Sequence, residues 1–149
     1  MKPSKKSLSG VAIMSVFIAL LNQANANVPA PAVAEELPFS GAVRVGNTLY
    51  GAGQIGSDGN DRLVPGGIVP ETRQALSNIK AVIEGNGFSL KDVVKCTVFL
   101  ADISEFSSFN EVYRNFFSKP YPARSTVAVA GLVANARVEI ECIAAKRDT

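Results

Sequence analysis

The sequence predicts an α+β domain, two helices packed on one face of a mixed sheet, with elements in the order ββαβαββ. Three observations carry this. Two stretches repeat apolar residues at helical spacing: Ala75, Leu76, Ile79, Val82 and Ile83, then Phe106, Phe109, Tyr113, Phe116 and Phe117. Shorter runs rich in β-branched and aromatic residues lie before, between and after them. Each helix joins two extended runs, so each is a crossover and the strands flanking it should run parallel.

Ala42-Val43-Arg44-Val45 and Thr48-Leu49-Tyr50 are extended, and Gly46-Asn47 between them is a two-residue hairpin turn. Residues 57–67 are crowded with Gly, Asp, Asn and Pro, and read as a loop. The first helix follows. Pro70 suits its first turn, Glu71 complements the positive end of its dipole, and Gly85 and Gly87 stop it. Val93 to Leu100 is a strand. Ser104 is the expected cap of the second helix, whose aromatic stripe is expected to be core, and Lys119-Pro120 ends it. Ser125 to Ala130 and Ala136 to Ala145 are the last strands. Two helices cannot cover both sheet faces, yet Val127 and Val129, like Thr126 and Ala128, carry no charge. The uncovered face is therefore expected to be buried between subunits.

A length of 149 residues suits one domain, and 47% hydrophobic residues support a core. The absence of histidine excludes Ser-His-Asp and Cys-His catalysis, histidine-containing zinc sites and histidine pH switches. Two cysteines are too few for a four-thiolate zinc site. Chemistry must come from carboxylates, arginine, lysine, hydroxyls, amides and backbone.

Residues 1–26 read as a secretory signal peptide. Lys2, Lys5 and Lys6 precede the apolar run Val11 to Leu21, and Ala24-Asn25-Ala26 offers a cleavage site. That run is about half the roughly 20 residues a membrane span needs, so no stable membrane anchor is expected. The protein is expected in the periplasm or outside the cell. Removing 26 of 149 residues leaves 123, and takes three lysines and no acid with it. The balance of 15 basic to 13 acidic residues becomes 12 to 13, a net charge of −1. Nucleic-acid binding through a basic surface loses its support. Residues 27–36, rich in Pro, Ala and Val, read as a flexible leader, and 37–149 as the domain.

Four features could carry chemistry. Gly51-Ala52-Gly53-Gln54-Ile55-Gly56 spells G-x-G-x-x-G, but a loop rather than a helix follows it. A dinucleotide site needs that helix N-terminus, so the glycines more simply turn the chain or allow a close approach to the backbone. Arg124 stands at the mouth of an apolar strand. It is either a carboxylate-binding fork or an ordinary exposed or ion-paired arginine. Glu139 and Glu141 share one face of a strand. They could handle water as general base or acid, or belong to a solvated edge strand or an intersubunit salt bridge. Cys96 and Cys142 are expected as separate buried thiols, although export permits a disulfide.

In this order and spacing the motifs resemble the Rid family of reactive intermediate deaminases, also called the YjgF family. The resemblance rests on Gly41 to Asn47, Gly53-Gln54-Ile55, Thr72 to Leu76, Asn78 to Val82 and Asp92 to Leu100. It continues through Phe109 to Tyr113, Pro122 to Val127 and Val138 to Glu141. It implies a chorismate-mutase-like subunit and a homotrimer whose three sheets form a central barrel, with ligand clefts between subunits. The implied reaction is cofactor-free hydrolysis of enamines and imines, such as 2-aminoacrylate, to 2-keto acids and ammonia. Neither a metal nor an organic cofactor is implied.

By resemblance, Arg124 binds the substrate carboxylate, Glu139 positions water and Asn110 lines the cleft, completed by backbone near Gly53 and Thr126. Three positions depart from the best-known members: Phe39 and Ala52 replace a tyrosine and a serine, and Thr126 replaces a small residue. Two lost hydroxyls make the cleft more apolar. An exported member would meet imino acids made by oxidases or dehydrogenases outside the cytoplasm. The alternative is a non-enzymatic trimer, either a small-carboxylate-binding module or a holdase. An endoribonuclease role, ascribed to some relatives, fits poorly with a net charge of −1 and export.

Overall fold

A computed structural model describes residues 38–147. The expected signal peptide and leader lie outside the described residues. The strands are β1 (Ala42–Val45), β2 (Thr48–Gly51), β3 (Gln54–Ile55), β4 (Val93–Leu100), β5 (Ala123–Ala128) and β6 (Val138–Ala145). The helices are α1 (Ile68–Gly85) and α2 (Phe106–Phe116). One mixed sheet runs β1-β2-β6-β4-β5, with β3 also paired to β6. The expected ββαβαββ order holds, with the two-residue β3 as an addition. Among the described residues no helix is long and apolar enough to cross a membrane.

β4 and β5, which flank α2, pair in parallel as expected. The strands flanking α1 are not neighbours. β6 lies between β2 and β4, antiparallel to both, so β2 and β4 still point the same way. The hairpin turn is the expected one, with Val45 opposite Thr48 and Gly46 at φ 56°.

α1 presses Ala75, Leu76, Ile79 and Ile83 onto Leu49, Val98, Val138 and Ile140, all fully buried. Each of the valine, leucine and isoleucine side chains contributes about 1.5–3 kcal/mol by leaving water. Gly87, at φ 79°, ends the helix by donating to the Glu84 carbonyl at 3.0 Å. Glu71 complements the dipole of its helix, but it also does something the dipole does not require. Buried to 5% exposure, it accepts a 2.8 Å hydrogen bond from the Arg137 backbone N–H ahead of β6. The expected Ser104 cap is corrected to Asp102. Its carboxylate accepts from the Ser104 N–H at 2.8 Å and opens a short 3-10 turn, Ile103–Glu105, before α2.

Cys96 and Cys142 are not separate thiols. They face each other directly in the β4–β6 ladder and form a disulfide. Alternation within a strand cannot reveal cross-strand register, which is what brings them together.

Both helices lie on one face. The other carries Val43, Val45, Tyr50, Phe99, Val127, Glu139 and Glu141, as register and alternation require. Tyr50 is 50% exposed and Val127 46%. The open face thus carries exposed apolar residues, as the sequence anticipates, together with the two glutamates.

Candidate functional site

Arg124 lies on β5 directly opposite Cys96, so it shares the helix-covered face. There it meets α2. Its Nη2 donates to Asn110 Oδ1 at 2.8 Å, and its guanidinium carbon sits 4.5 Å from the Tyr113 ring centre. The Phe109 and Phe106 rings lie at 5.3 and 5.7 Å. Asn110, Phe106, Phe109 and Tyr113 recur at three- and four-residue steps, so one helix face supplies the whole cradle. Cation–π contacts of this kind contribute about 0.5–2 kcal/mol each and hold the planar fork in one orientation. Among the described residues no carboxylate pairs with Arg124. Neither an exposed nor an ion-paired arginine describes it.

Beside it opens a cavity of about 300 Å³ lined by Asn110, Tyr113, Arg114, Tyr121, Pro122 and Arg124. Burial pushes the Tyr113 hydroxyl up to about 12, although the nearby Arg124 charge pulls the other way. It therefore stays neutral, and able to donate a proton to a hydrogen bond, throughout the working pH range. The buried side-chain polar atoms left without a hydrogen-bond partner, among the described residues, are the Tyr113 hydroxyl and the Thr126 hydroxyl. Thr126 follows Arg124 by two residues on the same strand face. Such groups cost about 1–3 kcal/mol each when unsatisfied, so two of them on the sheet side that carries Arg124 call for a functional reason.

Glu139 sits elsewhere. It is opposite Phe99 in the β4–β6 ladder, and therefore on the open face of the sheet. It is half-buried beside Gly53, where a side chain in place of the glycine hydrogen would collide with the carboxylate. Ala52 is half-buried next to Gly53, and its N–H donates to the Gly41 carbonyl at 3.0 Å. Phe39 is 61% exposed ahead of β1. Glu141 shares the open face with Glu139, as the i and i+2 spacing predicted. The edge-strand explanation for this pair is corrected, because β6 is central, flanked by β2 and β4.

The expected site residues thus fall into two groups. Arg124, Asn110 and Thr126 line the helix side at the edge strand. Glu139, with Gly53 against its carboxylate, belongs to the opposite side of the sheet, two strands away, and Ala52 is the residue before that glycine. One copy of the chain does not bring them together. The glycines of the G-x-G-x-x-G stretch serve close approach: Gly53 to Glu139, and Gly56 to the backbone of Glu71. Sequence reasoning missed the part Phe106 and Tyr113 play in holding Arg124. Their helical spacing was visible, but a stripe on one face looks the same whether it meets a core or a guanidinium.

The family described as Endoribonuclease L-PSP matches residues 29–146. A Dermatophagoides farinae protein named 2-iminobutanoate/2-iminopropanoate deaminase is 50% identical over 71% of this chain and 84% of its own. The human protein of the same name is 44% identical over 72% and 79%. The crystal structure of RidA from a Psychrobacter species superposes with a TM-score of 0.71 at 45% identity, covering 79% of this chain and 93% of that one.

Proposed function

The chain belongs to the endoribonuclease L-PSP family, the Rid family of its sequence motifs, and from that premise we propose that it is an exported imine deaminase. It hydrolyses 2-imino acids to 2-keto acids and ammonia, and does so at clefts between the subunits of a homotrimer. The observation that carries the reading is Arg124, a guanidinium with no acid partner among the described residues, oriented by three rings and one amide over an open cavity.

Arg124 takes the substrate carboxylate in a bidentate pair, which fixes the adjacent imine carbon. Glu139 of a neighbouring copy holds a water against that carbon and accepts its proton as the C–O bond forms. The C=N π electrons pass to nitrogen, which takes that proton from Glu139 to give a carbinolamine. The hydroxyl proton then moves through Glu139 to the same nitrogen as the C=O bond forms and the C–N bond breaks, and ammonia leaves. Asn110 has its amide N–H groups left to donate to the bound acid. The separation of Arg124 from Glu139 supports a shared cleft, since a second copy can present its open face where the first presents its edge. The exposed apolar residues of that face support burial of the sheets against each other. Phe39 and Ala52 leave the cleft poorer in hydroxyls. Removal of residues 1–26 places the enzyme where oxidases release imino acids outside the cytoplasm.

The test is ammonia release from imino acids generated in situ by an amino-acid oxidase. Acceleration that falls about 100-fold or more in Arg124→Ala supports the reading. No acceleration with imino acids from alanine, leucine, phenylalanine, aspartate or glutamate overturns it. Suppression of protein aggregation that survives Arg124→Ala would then point to a holdase.

A further inference from the structure

The cavity beside Arg124 holds a second guanidinium that the mechanism does not use. Arg114 lines the same space, and no carboxylate does. Among the described residues no acid forms an ion pair with either arginine. The nearest acid in sequence on α2, Glu111, instead lines a separate groove with Arg73 between the two helices. Arg114 is four residues beyond Asn110, so it stacks on the helix face that carries the Arg124 partner. Its place in the last turn of α2 favours a cation through the helix dipole. That alone would be met by a basic side chain turned to solvent, and it does not require the wall of a cavity. Two like charges facing one space of about 300 Å³ repel each other until an anion enters. Arg124 is already assigned one carboxylate. The Tyr113 side chain forms part of the same wall.

We propose that this site selects dicarboxylic 2-imino acids, with Arg124 holding the 1-carboxylate and Arg114 the distal one. The inference rests on the deaminase reading of the site and names its substrate class. A four- or five-carbon dianion fits within the volume, and neutralises both guanidinium groups. The reaction that supplies it is the two-electron oxidation of an acidic amino acid at its Cα–N bond by an oxidase or dehydrogenase. Its imine product is the one that Arg114 distinguishes from those of alanine or leucine.

The experiment is calorimetric titration of the purified protein with succinate, glutarate and butyrate, for wild type, Arg114→Gln, Arg114→Lys and Arg124→Gln. Alongside it runs ammonia release with imino acids made from aspartate and from alanine. Arg114 is exposed at the rim, so the expected preference for the dicarboxylates is modest, about 3- to 10-fold in wild type. It should fall to near one in Arg114→Gln, persist in part in Arg114→Lys, and be accompanied by faster hydrolysis of the aspartate-derived imine. Equal binding of butyrate and succinate, or a preference that survives Arg114→Gln, overturns the inference while alanine-derived imine hydrolysis leaves the deaminase reading standing. Absence of both carboxylate binding and imine hydrolysis overturns the two together.

Discussion

Arg124 and Glu139 lie on opposite faces of one sheet, on strands β5 and β6, with β4 between them. A site that needs both must draw them from two copies. Arg124→Ala and Glu139→Gln should each be inactive alone. Unfolded and refolded as a mixture, they should regain activity, because some interfaces then join an intact Arg124 to an intact Glu139. A mixture that forms mixed oligomers yet stays as inactive as its parents would refute the shared cleft.

Gly53 leaves the room that the Glu139 carboxylate occupies. Gly53→Ala should displace that carboxylate while leaving the sheet intact. The expected result is a fall in kcat of about 10-fold or more, with a smaller change in KM. A variant with wild-type kcat would mean that Glu139 has no fixed position to defend.

The Tyr113 hydroxyl titrates near 12, against an ordinary value of 10.0. The unfolded chain therefore releases this proton first. The contribution of this group to stability should be level below pH 10 and decline as pH rises from about 10 to about 12. Tyr113→Phe should remove that part of the decline. Ultraviolet titration of the folded protein, which has three tyrosines, should show one ionising well after the others. Three coincident transitions would contradict the burial of this group.

The Cys96–Cys142 disulfide closes a loop with a sequence separation of 46 residues. Replacing both cysteines by alanine should lower unfolding stability by about 2–4 kcal/mol in denaturant titration. Thiol counting on the unreduced, denatured protein should find no free thiol. Two thiols would show that the strands carry reduced cysteines after all.

Glu71 joins α1 to the segment before β6 through the Arg137 N–H. Glu71→Ala removes the acceptor of the part-buried Arg137 N–H and should cost about 0.5–1.5 kcal/mol. Glu71→Gln keeps an acceptor and should cost less. Equal losses for the two variants would show that charge, rather than the hydrogen bond, is what matters.

Much of the fold was legible because its signals are local. Helical spacing marked α1 and α2, and β-branched runs marked β4 and β6. The pair Gly46-Asn47 marked the hairpin. β3 was missed because two residues carry no period. Ser104 was expected as the cap, whereas Asp102, two residues earlier, caps the 3-10 turn ahead of α2, because backbone geometry decides which side chain faces the free N–H. Arg124 was legible as a candidate through its isolation at an apolar strand. That Tyr113 and Phe106 cradle it was not, because an aromatic side chain is assigned to core or cleft only by what it faces.

By itself the sequence determined the α+β class, the element order, the family and the shared face of Glu139 and Glu141. These follow from spacing along one chain. The tertiary structure decided that Cys96 meets Cys142, that Arg124 and Glu139 part to opposite faces, and that Arg114 shares the cavity of Arg124. Each depends on cross-strand register or on how a helix is set against its sheet. Those relations are settled by packing between segments far apart in sequence, and no local pattern of residues records them.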